Sequence, residues 1–367
     1  MKPIRVLQVV TIMNYGGIET MLMNYYRKLN KNELQFDFMT HRQAKGQYDD
    51  EIEAMGGRIY RMKSIKPGNY RSYFKELDKF FEDHNEYRVV HSHINENSGF
   101  VLRAAKNHNV PCRIAHSHLS DLKLDYKYPF RLYGRSYLKS NANHYFACAE
   151  RAGQWLFGKE LSNNGQVKVL NNAVDTERFI PNDLIRNKVR KELNLEDKKV
   201  IGHVGRFNPQ KNHGFLIDIF NEIHKKDENT VLLLIGDGYL KNEMEKKVHG
   251  LKLIDCVRFL GSRSDIPDLM QAMDLFLFPS LYEGLAVVLV EAQAAGLQCI
   301  TSTGVTKESD VTGNVKFLNI KQSPLLWASE VLKTDMSKKN VKNILINKGY
   351  DASTNVKVLN KFYMKSY

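Results

Sequence analysis

At 367 residues the chain is too long for one hydrophobic core and suits two domains. Its 43 % hydrophobic and 26 % charged residues describe an ordinary globular protein, and its formal net charge of +13 favours anionic partners: nucleic acid, anionic lipid or phosphorylated substrates. No apolar run approaches the ~18 residues that a bilayer-spanning helix needs. The opening MKPIRVLQVVT has a short apolar run and no small-residue cleavage site, so it is not read as a signal peptide and a cytosolic location is expected. Cys112, Cys148, Cys256 and Cys299 are scattered in apolar settings without metal-ligand spacing, as reduced core residues would be.

In chain order, IRVLQVV (4–10) reads as a buried parallel strand from its continuous apolar character, followed by a helix over GIETMLMNYYRKL. LQFDFMT, GRIYRM, RVVHSH, VPCRIAHSH, HYFACA and VKVLNNAVD read as further strands, with helices over YDDEIEAMGG, YRSYFKELDKFFEDH and GFVLRAAKNHN between the earlier ones. A second series follows. KKVIGHVGR, TVLLLIGDG, VRFLG, LFLFPS and QCITS are strands, and HGFLIDIFNEIHKK, YLKNEMEKKVHGL, 266–273 and 286–295 are helices. This alternation, twice over, predicts two doubly wound α/β domains. The first is expected over 1–175 and the second over 197–352. The charged, apolar-poor stretch 176–196 reads as a linker, and a C-terminal helix at about 353–367 is expected to pack back on the first domain.

Ligands of such sheets bind beyond the carboxyl ends of the strands, and the polar candidates cluster there. In GHVGRFNPQKNH a strand ends at Gly205, and Arg206 and Lys211 follow before a helix. A guanidinium fork, a compact ammonium and free helix-end amides suit a diphosphate; the alternative is a solvated basic loop. In PSLYEGLAVVLVEAQAAGL, Glu283 sits in a turn and Glu291 eight residues on, inside an apolar helix. A buried carboxylate is costly unless it accepts hydrogen bonds. A ribose diol would supply two, and nearby backbone is the structural alternative. The triplet HSH occurs at 91–93 and 116–118, each time after an apolar strand. A metal site there lacks any carboxylate or cysteine partner and is disfavoured. His116 is the better candidate for bonding a polar substrate, against a structurally satisfied histidine. Gly16 and Gly17, between strand one and helix one, allow close approach of a ligand to the backbone. The loop is not GxGxxG, which disfavours a nicotinamide cofactor.

Together MNYGGIE, the two HSH triplets, NNAVD, GHVGRFNPQKNH, IGDG, PSLYEGLAVVLVEAQAAG and GYDASTNVKVLNKFY resemble, in order and over nearly the whole chain, the retaining family-4 glycosyltransferases of the GT-B fold, in the capsular and exopolysaccharide branch. The resemblance implies two Rossmann-like domains facing a central cleft. It implies a nucleotide-sugar donor, UDP-linked by preference, and a polyprenyl-linked or oligosaccharide acceptor. Arg206 and Lys211 would hold the diphosphate and neutralise the departing nucleotide, so no metal and no cofactor is expected. Glu291 would accept the ribose hydroxyls. Glu283 and the amides near Gly284, Leu285, Ala286 and Val287 would face the donor sugar, with Gly205 at the strand end. Gly16 and Gly17 would close over the phosphates, and His116 would sit beside the reacting carbon. Two departures stand out. Ala173 replaces a usual glycine, disfavouring a positive φ, and Ala286 replaces a frequent proline.

A basic and aromatic stretch from Lys123 to Lys139 carries cations every four residues, with Phe130, Tyr133 and Tyr137 at helical spacing. It suits either an anionic membrane surface at the inner face of the plasma membrane or an ordinary helix with its aromatic stripe in the core. Other readings of the chain are a GT-B-type nucleotide-sugar 2-epimerase and a non-catalytic sugar-nucleotide-binding protein. Nucleic-acid binding would explain the charge, but no nucleic-acid module is present.

Overall fold

A computed structural model describes residues 2–66, 68–119 and 128–367. The chain divides into two compact units: 1–173 with 349–367, and 174–348.

The first unit is built on a seven-stranded, wholly parallel sheet of β1 (Ile4–Val10), β2 (Leu34–Thr40), β3 (Ile59–Arg61), β4 (Val89–Ser92), β5 (Cys112–Ser117), β6 (His144–Ala147) and β7 (Val167–Val169), in the order β3-β2-β1-β4-β5-β6-β7. Alternate residues of β1 serve two cores. Val6 and Val10 join the cluster that includes the helix Gly17–Lys28 and the C-terminal helix Ala352–Ser366, whereas Leu7 and Val9 face Leu77, Phe81 and Phe100. Asp37 in β2 is fully buried and fully engaged. It accepts from the Arg5 guanidinium at 2.5 and 2.6 Å, from the Tyr87 hydroxyl at 2.6 Å and from the Arg58 amide at 2.7 Å.

The second unit carries a six-stranded sheet, again parallel throughout: β8 (Lys199–Val204), β9 (Thr230–Ile235), β10 (Val257–Gly261), β11 (Leu275–Phe278), β12 (Gln298–Ser302) and β13 (Val315–Leu318), in the order β10-β9-β8-β11-β12-β13. All six residues of TVLLLI in β9 are buried, as expected of an interior strand with helices on both faces. The stretch 176–196, expected as a linker, instead forms the helices Thr176–Phe179 and Asp183–Glu192 and belongs to this unit. Its charges are what dock it. Arg186 and Arg190, one helical turn apart, both reach the Asp274 carboxylate just before β11, and Gln271 donates to the carbonyls of Phe179 and Ile180. Ala173 does not adopt a positive φ, and its methyl group lies in the first unit's core, so alanine is no strain there.

Both sheets reverse their winding once, between β1 and β4 in the first unit and between β8 and β11 in the second. These are the switch points where loops diverge and ligands of such folds bind.

Removing the Asp37 carboxylate leaves Arg5 and Tyr87 without their acceptor in a buried setting. Asp37→Ala is expected to destabilise the first unit by about 3–5 kcal/mol. Urea unfolding followed through Trp155, the single tryptophan of that unit, measures it.

Candidate active site

The loops after β8 and β11 are stitched together at the second switch point. The Leu281 amide donates to the Gln210 carbonyl at 2.8 Å, the Gln210 side chain to the Tyr282 carbonyl at 3.0 Å, and Asn212 to the Pro279 carbonyl at 3.2 Å. The Asn208 carboxamide caps the short 3-10 turn Pro209–Lys211 by accepting from the Lys211 amide. Glu283 is fixed by a backbone bridge to Val305, with its amide on the Gly304 carbonyl at 3.1 Å.

These constraints place the Lys211 ammonium 2.7 Å from Glu283 Oε1 and 4.4 Å from the centre of the Phe278 ring. Two residues assigned separately from the sequence therefore form one partly buried ion pair. Arg206 is exposed, and no hydrogen bond or ion pair to its side chain is found among the described residues. Gly205 is needed where it stands: a Cβ there would come within 3.1 Å of the Lys211 side chain and 2.9 Å of His203. Gly236 of IGDG, at φ +136°, brings the β9 loop so close that a Cβ would lie 2.2 Å from the Gly205 carbonyl oxygen.

Gly284, Leu285 and Ala286 lead into the helix Val287–Ala294, whose Val287 and Val288 amides have no intrahelical acceptors, while the Leu289 amide turns back to the Ala286 carbonyl at 2.9 Å. The Ala286 amide meets the Ser309 hydroxyl at 3.3 Å. Glu291 lies in this helix, 8 % exposed, and burial raises its pKa to about 8, opposed by the charge of Arg178. Sequence reasoning missed His203 and His213. His203 donates through Nδ1–H to the Leu277 carbonyl, 2.9 Å away. His213 stacks on Phe207 at 4.0 Å between ring centres. Burial, then the neighbouring His213, holds His203 well below the usual imidazole range; burial, then Lys211, brings His213 to about 4.

In the first unit Gly16 caps and Gly17 begins the helix Gly17–Lys28, just past β1. Gly16 is in extended backbone, φ −141°, so its role is space and not an unusual dihedral. The two HSH triplets come together. β4 and β5 are adjacent, and the period of two puts His91, His93, His116 and His118 on one face with Ser92 and Ser117 on the other. His91 Nε2 lies 3.1 Å from His116 Nδ1, and His93 Nδ1 lies 2.9 Å from His118 Nε2. His91, His93 and His116 hold ring nitrogens within 4.8 Å of one another, the spacing of a candidate metal set that the sequence argument discounted. All four imidazoles are driven towards the neutral form by burial first, and His118 falls to about 3. The four-histidine cluster was not legible as such, because the pairing of β4 with β5 is not written locally in either triplet.

Of the basic aromatic stretch, Lys123 and Lys127 lie outside the described residues. In the helix Tyr128–Ser136, Phe130 packs on Phe100, while Tyr133 just beyond it is exposed. Tyr137 also packs on Phe100, and Arg135 bonds the Leu156 carbonyl beside Trp155. The aromatic stripe is thus divided between core and surface. No helix among the described residues is long and apolar enough to cross a membrane.

Two parallel-sheet Rossmann-like units, each with one switch point, are the architecture of the GT-B glycosyltransferases. Residues 15–178 match Glycosyltransferase Family 4, and residues 185–320 match Glycosyl transferases group 1. The chain is 37 % identical to a putative glycosyltransferase, EpsF, of Bacillus subtilis, over 98 % of this chain and 96 % of that one. It is 27 % identical to the capsular polysaccharide biosynthesis glycosyltransferase CapH of Staphylococcus aureus, over 98 % and 99 %. Among solved structures, HepE of Anabaena in complex with UDP and glucose is similar in fold at a TM-score of 0.77 and 18 % identity, over 98 % of this chain and 99 % of that one. The chain belongs to the family-4 glycosyltransferases.

The raised pKa of Glu291 has a consequence for stability. As pH rises from 4.5, the unfolded chain loses this proton first, so folding stability falls until about pH 8, where the folded carboxyl also ionises. Glu291→Gln removes that cost. It is expected to stabilise the second unit by about 3 kcal/mol at pH 7, and by little at pH 4.5. Urea unfolding followed by Trp327 fluorescence in a Trp155→Phe background, from pH 4.5 to 8, measures it.

Proposed function

We propose that the enzyme transfers a hexose or N-acetylhexosamine from a UDP-sugar to a lipid-linked or glycan acceptor, with retention of configuration, in the synthesis of a surface polysaccharide. The observation that carries this reading is the Lys211–Glu283 pair at the switch point of β8 and β11, with the exposed Arg206 on the same loop as Lys211. A diphosphate can take Arg206 through its fork and draw Lys211 from Glu283, which frees the Glu283 carboxylate for sugar hydroxyls. The same cations oppose the charge that builds on the departing nucleotide. The first-turn amides of the helix Val287–Ala294 add donors for the sugar or the phosphates, and Glu291 takes the ribose diol. That contact would offset the burial cost of Glu291 by giving its carboxylate hydrogen-bond donors.

Retention follows if the acceptor attacks from the side of the leaving group and the departing phosphate oxygen takes its proton, so no protein base is required. Neutralisation by Arg206 and Lys211 makes a divalent metal unnecessary for transfer in this reading. The capsular relative and the UDP complex of the fold relative support the product class and the nucleotide. Peripheral contact with an anionic bilayer, through Lys139 and the exposed Leu132 and Tyr133, belongs to the same proposal.

Thermal-shift screening against UDP-, GDP-, ADP- and dTDP-sugars should single out UDP compounds, since a ligand at 100 times its Kd stabilises by about 2.7 kcal/mol. Lys211→Ala and Glu291→Ala should abolish transfer, read as UDP release in excess EDTA, while both variants stay folded. Full turnover in both variants would defeat the site assignment. Transfer that stops on adding EDTA would defeat its metal independence.

A further inference from the structure

The histidine cluster is wired into two hydrogen-bonded branches that meet at one point. In the first branch the Tyr363 hydroxyl lies 2.6 Å from His91 Nδ1, and His91 Nε2 lies 3.1 Å from His116 Nδ1. In the second, Gln8 Oε1 lies 2.9 Å from His93 Nε2, and His93 Nδ1 lies 2.9 Å from His118 Nε2. The branches join where the Gln8 amide nitrogen faces the Tyr363 hydroxyl at 3.4 Å. Gln8 is paired in register with His91 across β1 and β4, and Tyr363 comes from the C-terminal helix that covers this face. The far end of the first branch, His116 Nε2, is buried and finds no partner among the described residues. The far end of the second, His118 Nδ1, is likewise buried and finds no hydrogen-bond partner among the described residues, although Asn172 lies near it.

We propose that Tyr363 and Gln8 are positioning residues that hold all four histidines in the Nε2–H tautomer, so that His116 presents an N–H donor at its unpartnered nitrogen. A neutral imidazole has one N–H and one acceptor, so each contact fixes the next. If the Tyr363 hydroxyl donates to His91 Nδ1, then His91 carries its proton on Nε2 and donates to His116 Nδ1. His116 must then carry its proton on Nε2. In the other branch Gln8 donates its amide to Tyr363, so its oxygen accepts from His93 Nε2–H. His93 Nδ1 accepts from His118 Nε2–H, which leaves His118 Nδ1 as an acceptor.

Reversing the Gln8 amide reverses every proton together and gives four Nδ1–H tautomers. The distances choose between the two states. A hydroxyl donor belongs at about 2.5–3.0 Å from its acceptor. The 2.6 Å contact to His91 suits it, and the 3.4 Å contact to Gln8 does not. An unpartnered N–H at His116 is a donor awaiting an oxygen, such as a hydroxyl or phosphate oxygen of a ligand. Its use in sugar transfer rests on the function proposed above; the tautomer assignment does not.

Long-range proton–nitrogen correlation spectra of the full chain, labelled with nitrogen-15 histidine, read each tautomer directly. His91, His93, His116 and His118, assigned by single substitutions, are expected as Nε2–H. Tyr363→Phe, which removes the hydroxyl and keeps the ring, should convert His91 and His116 to mixed tautomers. It should lower kcat about fivefold to tenfold, leaving KM for the UDP-sugar and the melting temperature nearly unchanged. Should that variant fail to fold, the spectrum of the unaltered protein still decides. An Nδ1–H signal from His116, or tautomers that do not respond to Tyr363→Phe, would overturn the assignment. So would one equivalent of zinc or another transition metal in the purified protein that shifts these imidazole signals when chelated. Transfer undiminished in His116→Ala, with the Nε2–H signals as stated, would instead support the wiring and remove His116 from the transfer reaction.

Discussion

Parallel pairing throughout both sheets is the constraint on which the rest of the molecule depends. When every strand runs the same way, every carboxyl end opens on one edge and each return must cross the sheet, here mostly through a covering helix. Two neighbouring loops can diverge only where the winding reverses. In the second unit that place lies between β8 and β11, and it brings together Lys211 and Glu283, which are 72 residues apart in the chain. In the first unit it lies between β1 and β4, which puts Gly16 and Gly17 on one side and His91 and His93 on the other. The chemistry-bearing residues are therefore neighbours because of strand order, not because of local sequence.

Two of the buried polar groups, Asp37 and Gln293, are held in closed sets. Asp37 takes four hydrogen bonds from three residues. Gln293, inside the helix Val287–Ala294, donates to the Leu289 and Ser309 carbonyls and accepts from the amides of Val311 and Thr312. That holds the 309–312 segment against the helix and sets Ser309 beside the Ala286 amide. Glu291 stands two residues before Gln293, in the same helix, with its pKa raised by burial. The contrast is informative: the amide is a structural tie, whereas the carboxylate is held at an energetic cost that a ligand with two hydroxyl donors would recover.

The elements with a strong period were legible from the sequence. TVLLLI and LFLFPS announced interior strands because both of their faces are apolar, and two βα series announced two doubly wound units. What escaped was amphipathic or short. β13 has four residues, one of them an exposed lysine, and lies at the sheet edge, where the demand for apolar side chains is weakest. The helix Asp183–Glu192 reads as linker because charged side chains make most of its contacts, and Arg186 and Arg190 look solvated until Asp274 is placed beside them. The individual candidates could be named from the sequence, but the pairing of Lys211 with Glu283 and of one HSH triplet with the other could not. Both follow from which strands are neighbours.

The two departures from the family pattern show the same dependence on context. Alanine at 173 would be strained if the turn required a left-handed residue, yet the chain passes through that point without a positive φ, and the methyl group fills part of the core instead. At 286 the backbone φ of −79° is one that proline could adopt, but proline has no N–H to offer. Here the Ala286 amide meets the Ser309 hydroxyl, which itself reaches the Gly284 carbonyl at 3.4 Å. A rigid ring at the start of the helix has been exchanged for a hydrogen-bonded tie to the 309–312 segment. Both solutions restrict the same turn, so the amides of the helix end can stay in place without the proline.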